Sequence, residues 1–177
     1  MGVDLGHFEK VRALAAGARF VVVGGVRAGA ASQVTAFDPA SNKRLWVADL
    51  RAHVLGACLL EDVILCACSD GHVQALRAAN GEAAWSLPAH AGAVSAVAAA
   101  PDGASFATAG ADGSLQIWSA AKREKKASFA LSARALSAAA ISPDGAMIGA
   151  AGDDGVVRVV TLAEGSVREM PGHDGAV

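Results

Sequence analysis

Five histidines and three cysteines are the residues of this chain best suited to chemistry. An imidazole moves protons near neutral pH or ligates a metal, and a thiolate attacks or ligates. Their spacing points elsewhere. His7, His53, His90 and His173 stand where repeated segments begin, so their positions follow a structural period. His72 follows Asp70-Gly71 and is expected to be exposed. Cys58, Cys66 and Cys68 are odd in number and have no fourth ligand at metal-site spacing, against both a disulfide framework and zinc. Two apart on a strand, Cys66 and Cys68 share a face and are poorly placed to bond each other. They are expected to be apolar core residues in a reducing compartment. No Ser, His and Asp combine at a supporting spacing, and no Gly-x-Ser-x-Gly elbow occurs. "GGVRAGAAS", which contains Gly24-Gly25, lacks the Gly-Lys-Ser/Thr ending of a phosphate loop and reads as an enlarged hairpin turn. Asp153-Asp154 before Gly155 reads as a solvated turn rather than a cation site. No catalytic residue, metal ligand or cofactor-binding residue is therefore expected, and the chain reads as a non-enzyme.

The totals agree with a protein that neither coats nucleic acid nor enters a membrane. The 177 residues carry 15 basic and 17 acidic side chains, a net charge of −2. That offers no field for polyanions or anionic lipid. The hydrophobic fraction is 53%, but much of it is alanine. The longest apolar stretches, 93–100 and 135–142, are each ended by a Pro-Asp-Gly. Neither reaches the ~20 residues of a membrane-spanning helix. "MGVDLGHFEK" has no basic segment before an apolar one, so it does not read as a secretory signal, and a cytoplasmic location is expected. One basic cluster, "AKREKK" (121–126), reads as a solvated connection.

The elements that place these residues are repeats. "PDGASFATAGADGSLQIW" (101–118) returns 42 residues later as "PDGAMIGAAGDDGVVRVV" (143–160). Asp70-Gly71, Asp112-Gly113 and Asp154-Gly155 keep the same interval of 42. The units run approximately 7–50, 53–88, 90–130 and 132–171, and "GHDGAV" (172–177) reads as the start of another. The third unit reads as four short strands. "AVSAVAA" is followed by a Pro-Asp-Gly turn, in which proline presets φ and glycine accepts a positive one. "ASFATAG" and "SLQIW" flank an Asp-Gly hairpin turn. Leu115 and Ile117 fall on one face of the latter, Gln116 and Trp118 on the other. "ASFAL" is the fourth strand. No segment has a long apolar stripe of helical period, so an all-β protein with almost no helix is expected.

A period near 42, four strands per unit, Pro-Asp-Gly, Asp-Gly and a Trp closing the third strand resemble the WD-repeat β-propeller family. Gly6-His7 and Gly172-His173 match the Gly-His that members of that family carry before the first strand. Ser119 stands where the family has the Asp of its Trp-Asp signature. The resemblance implies a structural tetrad in the third unit, formed by His90, Thr108, Asp112 and Trp118. In the fourth unit the same places hold Ser132, Ala150, Asp154 and Val160. This predicts that apolar packing replaces the polar network there, with Asp154 left mainly to form its turn. "VTAFDPASNKRLW" (34–46) and "VQALRAANGEAAW" (73–85) also resemble quinoprotein-like propeller repeats, in which such a Trp docks one blade on the next.

Propellers typically close with 4–8 blades, and the WD-repeat kind usually needs about seven. About four units leave an open arc with apolar end faces that want a neighbour. A longer chain, a second copy or another protein would supply it. The reading is thus one propeller domain over 1–177 acting as a protein–protein interaction scaffold or complex subunit, without cofactor, nucleic acid or membrane insertion. Its expected contact residues are Arg51, Lys122, Arg123, Arg134 and Arg158, near the loops. The alternative is a quinoprotein-like propeller acting as a redox enzyme or an envelope assembly factor. An enzyme of that kind needs carboxylates converging on a quinone and a metal, and the sequence offers no such set.

Overall fold

The computed structural model describes residues 10–17, 20–26, 32–171 and 175–176. The described chain is sixteen strands in four antiparallel sheets, each of four strands in sequence order. The first sheet is β1 (Lys10–Ala16), β2 (Val21–Val26), β3 (Ser32–Phe37) and β4 (Arg44–Asp49). The second is β5 (Val54–Leu60), β6 (Val63–Cys68), β7 (His72–Arg77) and β8 (Ala83–Pro88). The third is β9 (Val94–Ala99), β10 (Ser105–Gly110), β11 (Ser114–Ser119) and β12 (Lys125–Ala130). The fourth is β13 (Leu136–Ile141), β14 (Met147–Gly152), β15 (Val156–Thr161) and β16 (Ser166–Pro171). Four meandering sheets of this kind are propeller blades, here not closed into a ring.

The Asp-Gly turns fix the register. Gly71, Gly113 and Gly155 all have positive φ, at 88°, 75° and 75°. Each donates its N–H to the residue three earlier, Cys68, Gly110 and Gly152. The aspartates complete the turns, because Asp70, Asp112 and Asp154 accept from the N–H of His72, Ser114 and Val156.

Strand alternation sends successive residues to opposite faces, and both faces of the inner blades are buried. Three cores result, one per junction. Between the first and second blades lie Val22, Val34 and Ala36 against Ile64, Cys66 and Leu76. Between the second and third lie Leu65, Val73 and Ala75 against Val94, Phe106 and Trp118. Between the third and fourth lie Ala107, Leu115 and Ile117 against Leu136, Ile148 and Val160. Burying a large apolar side chain stabilises by roughly 1.5–3 kcal/mol, so each junction is a substantial adhesive. The first strands β1, β5, β9 and β13 touch one another in that order, and the fourth strands form the rim.

The outward face of the fourth blade has no neighbour among the described residues. Met147 there is 43% exposed, and a Cβ added at Gly149 meets nothing within 4 Å. On the first blade the corresponding residues Val23, Thr35 and Phe37 are buried, so the two ends of the arc differ.

One strand starts earlier than its sequence implies. The fourth strand of the third blade begins at Lys125 rather than Ala127. A bulge explains the difference, because Ile117 pairs with Ala127 while Trp118 pairs with Lys125. The ammonium of Lys125 thereby comes 5.4 Å from the Trp118 ring centre.

Candidate functional site

The third blade joins four side chains from four places in the repeat. The Trp118 indole N–H donates to the Thr108 hydroxyl at 3.0 Å, and Thr108 lies 2.9 Å from Nε2 of His90. Nδ1 of His90 lies 3.0 Å and 3.1 Å from the two oxygens of Asp112. The sequence of donors assigns the proton to Nδ1, which then donates to the carboxylate, while Nε2 accepts from Thr108. β10 and β11 place Thr108 opposite Gln116 in the register, with Trp118 on the same face two residues on. The His90 ring fits because Gly110 has no side chain; a Cβ there would fall 2.3 Å from Nδ1. Burial alone would raise the Asp112 pKa, but the Ser114 hydroxyl and N–H, and then His90, outweigh it and hold it below the usual value. Both ring nitrogens are engaged, Nδ1 with Asp112 and Nε2 with Thr108. The set ties the β8–β9 connection, which carries His90, to β10 and β11.

In the fourth blade Ala150 and Val160 are buried in the core at the Thr and Trp places, as expected, but a polar network persists beside them. Arg158 is 7% exposed, in the middle of β15, at the register position that Gln116 holds one blade earlier. Its NH1 lies 2.7 Å from Asp154, and its Nε donates to Glu169 at 2.9 Å. The Ser132 hydroxyl donates to the same oxygen that Arg158 meets, Oδ2 of Asp154, at 2.7 Å. Asp154 therefore does more than form its turn, and its pKa falls to about 2, first through Ser132 and further through Val156 and Arg158. Partial burial works against the Arg158 charge, yet Asp154 and Glu169 more than compensate and its pKa rises. Arg158 is thus not a loop residue offered to a partner. A long cationic side chain stands where the third blade has Gln116, and a buried cation needs paired carboxylates.

The second blade shows a third arrangement. His53 does not reach Asp70. Its Nδ1 lies 3.4 Å from the Ser32 hydroxyl of the blade before, and its N–H donates to the Ser69 hydroxyl. Cys66 and Leu76 stand where Thr108 and Trp118 stand in the third blade, and a cavity of about 380 Å³ opens beside Leu76, Gln74 and Asp70. The three thiols are unpaired. Burial pushes Cys58 up to about 12 and Cys68 up to about 11, and raises Cys66 as well. None is a thiolate at neutral pH.

The tryptophans of the fourth strands reach across junctions. Trp46 donates its indole N–H to the Ala78 carbonyl at 2.9 Å and lies flat on the next turn. That turn needs glycine, for Gly81 has φ 75° and a Cβ there would meet the Trp46 ring at 2.5 Å. One junction later Trp85 meets Arg123 instead, whose guanidinium lies 5.5 Å from the ring centre. Trp85, Phe106 and Trp118 make an aromatic row, with centroid spacings of 6.1 Å and 6.3 Å. At the third junction Ala127 occupies the tryptophan position.

The five expected contact residues do not form one surface. Arg51 and Arg134 are exposed in the connections from β4 to β5 and from β12 to β13, at one end of the blades. Arg134 reaches back to the Asp153 carbonyl at 3.3 Å. Lys122 and Arg123 are exposed in the β11–β12 turn, at the opposite end. Arg158 is inside the sheet. Gly6-His7 and Gly172-His173 lie outside the described residues. Among the described residues no three His, Cys, Asp or Glu side chains gather as a metal site. No helix among them is long and apolar enough to cross a membrane.

Comparison with known proteins bears on this architecture. The sequence profile of the family described as outer membrane protein assembly factor BamB matches residues 3–171. The solved structure of U3-55K superposes with a TM-score of 0.84 over 94% of this chain, at 17% identity. The chain spans about half of that structure, 53% of its length. No curated protein matches the sequence.

Proposed function

The chain belongs to the family described as outer membrane protein assembly factor BamB, and from that premise we propose that it is a non-enzymatic interaction scaffold. It holds other proteins on the loop surfaces of its blades, as a subunit of a larger assembly. The observation that carries this reading is the use made of its polar groups. His90, Thr108, Asp112, Ser132, Asp154 and Arg158 are engaged in binding strands to one another. Arg51, Lys122, Arg123 and Arg134 stand exposed at the two loop ends. A protein built this way spends its buried chemistry on rigidity and its surface on contact.

The finer assignment to the WD-repeat type rests on the third blade alone, with its His, Thr, Asp and Trp linked in series. The Trp46 latch supports the quinoprotein-like type for the first blade. We place the chain in the cytoplasm on its three unpaired thiols, a condition that a reducing compartment maintains. The family match favours a second reading, assembly work in the cell envelope.

The test is isolation of the protein in its native complex, followed by light scattering after size exclusion and an absorbance scan. A stoichiometric protein partner and a spectrum of protein alone are expected. A bound quinone with dehydrogenase turnover would overturn the scaffold reading. Detection of the protein in the periplasmic fraction would overturn the cytoplasmic one.

A further inference from the structure

At the end of the arc that carries the β5–β6, β7–β8, β9–β10 and β11–β12 turns, the second and third blades border an open cavity of about 470 Å³. A second hollow of about 400 Å³ adjoins it and shares Glu61, Asp102 and Gly103. Trp85, Arg77 and Arg123 line the cavity together with Glu61, Asp62 and Asp102.

The donors here are unused. The other two tryptophans give their indole N–H to Ala78 and Thr108, but that of Trp85 has no acceptor among the described residues. Neither Arg77 nor Arg123 makes an ion pair among the described residues. Arg123 is held over the Trp85 ring by a backbone in the left-handed region, with φ 60°. Stacking occupies the flat face of a guanidinium and leaves its N–H edges free for a planar acceptor. The acids are unused too. Asp102 accepts one bond, from the Ala104 N–H, and Glu61 and Asp62 pair with no cation among the described residues.

Unpaired charges of both signs around one aromatic-walled cavity call for a ligand with both signs. We propose that this cavity docks a segment of a partner protein that presents an acidic side chain beside a basic one. The carboxylate takes the Trp85 indole N–H and the guanidinium groups of Arg77 and Arg123. The cation takes Glu61, Asp62 and Asp102. Three carboxylates repel a polyphosphate backbone, so nucleic acid does not fit. Tryptophan and arginine, already ordered against each other, are the residue types that dominate protein interfaces. The proposal rests on the scaffold reading and names the chemistry of its partner.

The indole N–H resonances of the full chain report on it directly, since only three tryptophans are present. Two capped tetrapeptides serve as probes, one with central Asp-Lys and one with central Asn-Gln, together with inorganic phosphate. The Asp-Lys peptide is expected to move the Trp85 indole N–H downfield and saturably, with Trp46 and Trp118 unmoved. Arg123→Gln and Glu61→Gln are each expected to weaken that binding about fivefold or more, a loss of about 1 kcal/mol. An unmoved Trp85 resonance at about 10 mM peptide, which would detect binding as weak as about −3 kcal/mol, overturns the proposal. An equal response to the Asn-Gln peptide or to phosphate also overturns it. The paired probes act on the unaltered chain, so they decide the matter even where a variant fails to fold. A silent Trp85 in a protein that still carries a stoichiometric partner sinks this site and leaves the scaffold reading standing.

Discussion

The third and fourth blades share a turn aspartate and support it by unlike chemistry. Asp112 leans on an imidazole that leans in turn on a hydroxyl and an indole, all of them oriented dipoles or a single carboxylate charge. Asp154 leans on a hydroxyl and a guanidinium, which a second carboxylate, Glu169, also holds. The first arrangement is covered by Trp118, 4% exposed and stacked on Phe106. The second reaches the rim, where Glu169 is 60% exposed. The difference teaches that the turn is the constant of this repeat and its support is not. In both blades a donor from the connection ahead of the first strand reaches the aspartate, His90 in one and Ser132 in the other.

Truncating the tryptophan breaks the comparison most severely. Trp118→Ala removes the Thr108 partner, the Phe106 contact and the core of the second junction together, and is expected to cost about 3–5 kcal/mol. Urea unfolding with the midpoint and slope read separately checks this. A loss as small as that of a surface substitution would mean that the network and the aromatic row are ornamental.

Arg158→Gln sharpens the comparison, since it puts into the fourth blade the residue that the third uses at that place. A smaller destabilisation than that of Trp118→Ala is expected, because Ser132 still serves Asp154 and most of Glu169 already faces water. The Asp154 carboxyl should move upward toward the ordinary carboxylate range, read from its side-chain carbon resonance against pH. No movement would show that Ser132 and Val156 alone hold it down.

Acid is expected to have the mildest effect of the three. Asp154 has its pKa lowered to about 2, so its contribution is complete above the ordinary carboxylate range and is lost as pH falls from about 4 toward 2. Asp112 is lowered as well and loses its contribution in the same direction. Thermal unfolding followed from pH 7 down to pH 2 should show stability flat at first and then falling. A fall that begins near pH 6 instead would implicate a histidine rather than these carboxylates.

Much of the fold was legible because turns are written in single residues. Asp-Gly at 70, 112 and 154 announced three positive-φ glycines, and alternation in "SLQIW" sorted Leu115 and Ile117 from Trp118 correctly. The tetrad positions were legible for the same reason, as they repeat at a fixed offset from the turn. Arg158 was misread because charge outweighed periodicity. Its alternation with Val160 marks the inward face, and Glu169 stands across from it in the register. A cation on an inward position with an acid one strand over is a signal for a buried pair. The cavity at Trp85 was not legible at all, for it gathers residues from four separate turns and strand ends between Leu60 and Arg123.

The inner strands meet strictly in order, and no two of the described junctions are fastened alike. Trp46 closes the first by lying on a glycine, Trp85 meets an arginine at the second, and alanine replaces the tryptophan at the third. Repeats this similar run the risk of docking out of turn while the chain is still folding. A first blade offered to the third would bring its indole down where a side chain, not a bare backbone, occupies the turn. Unlike fasteners therefore act as addresses, and the irregularity of these repeats is what lets a regular chain assemble in one order.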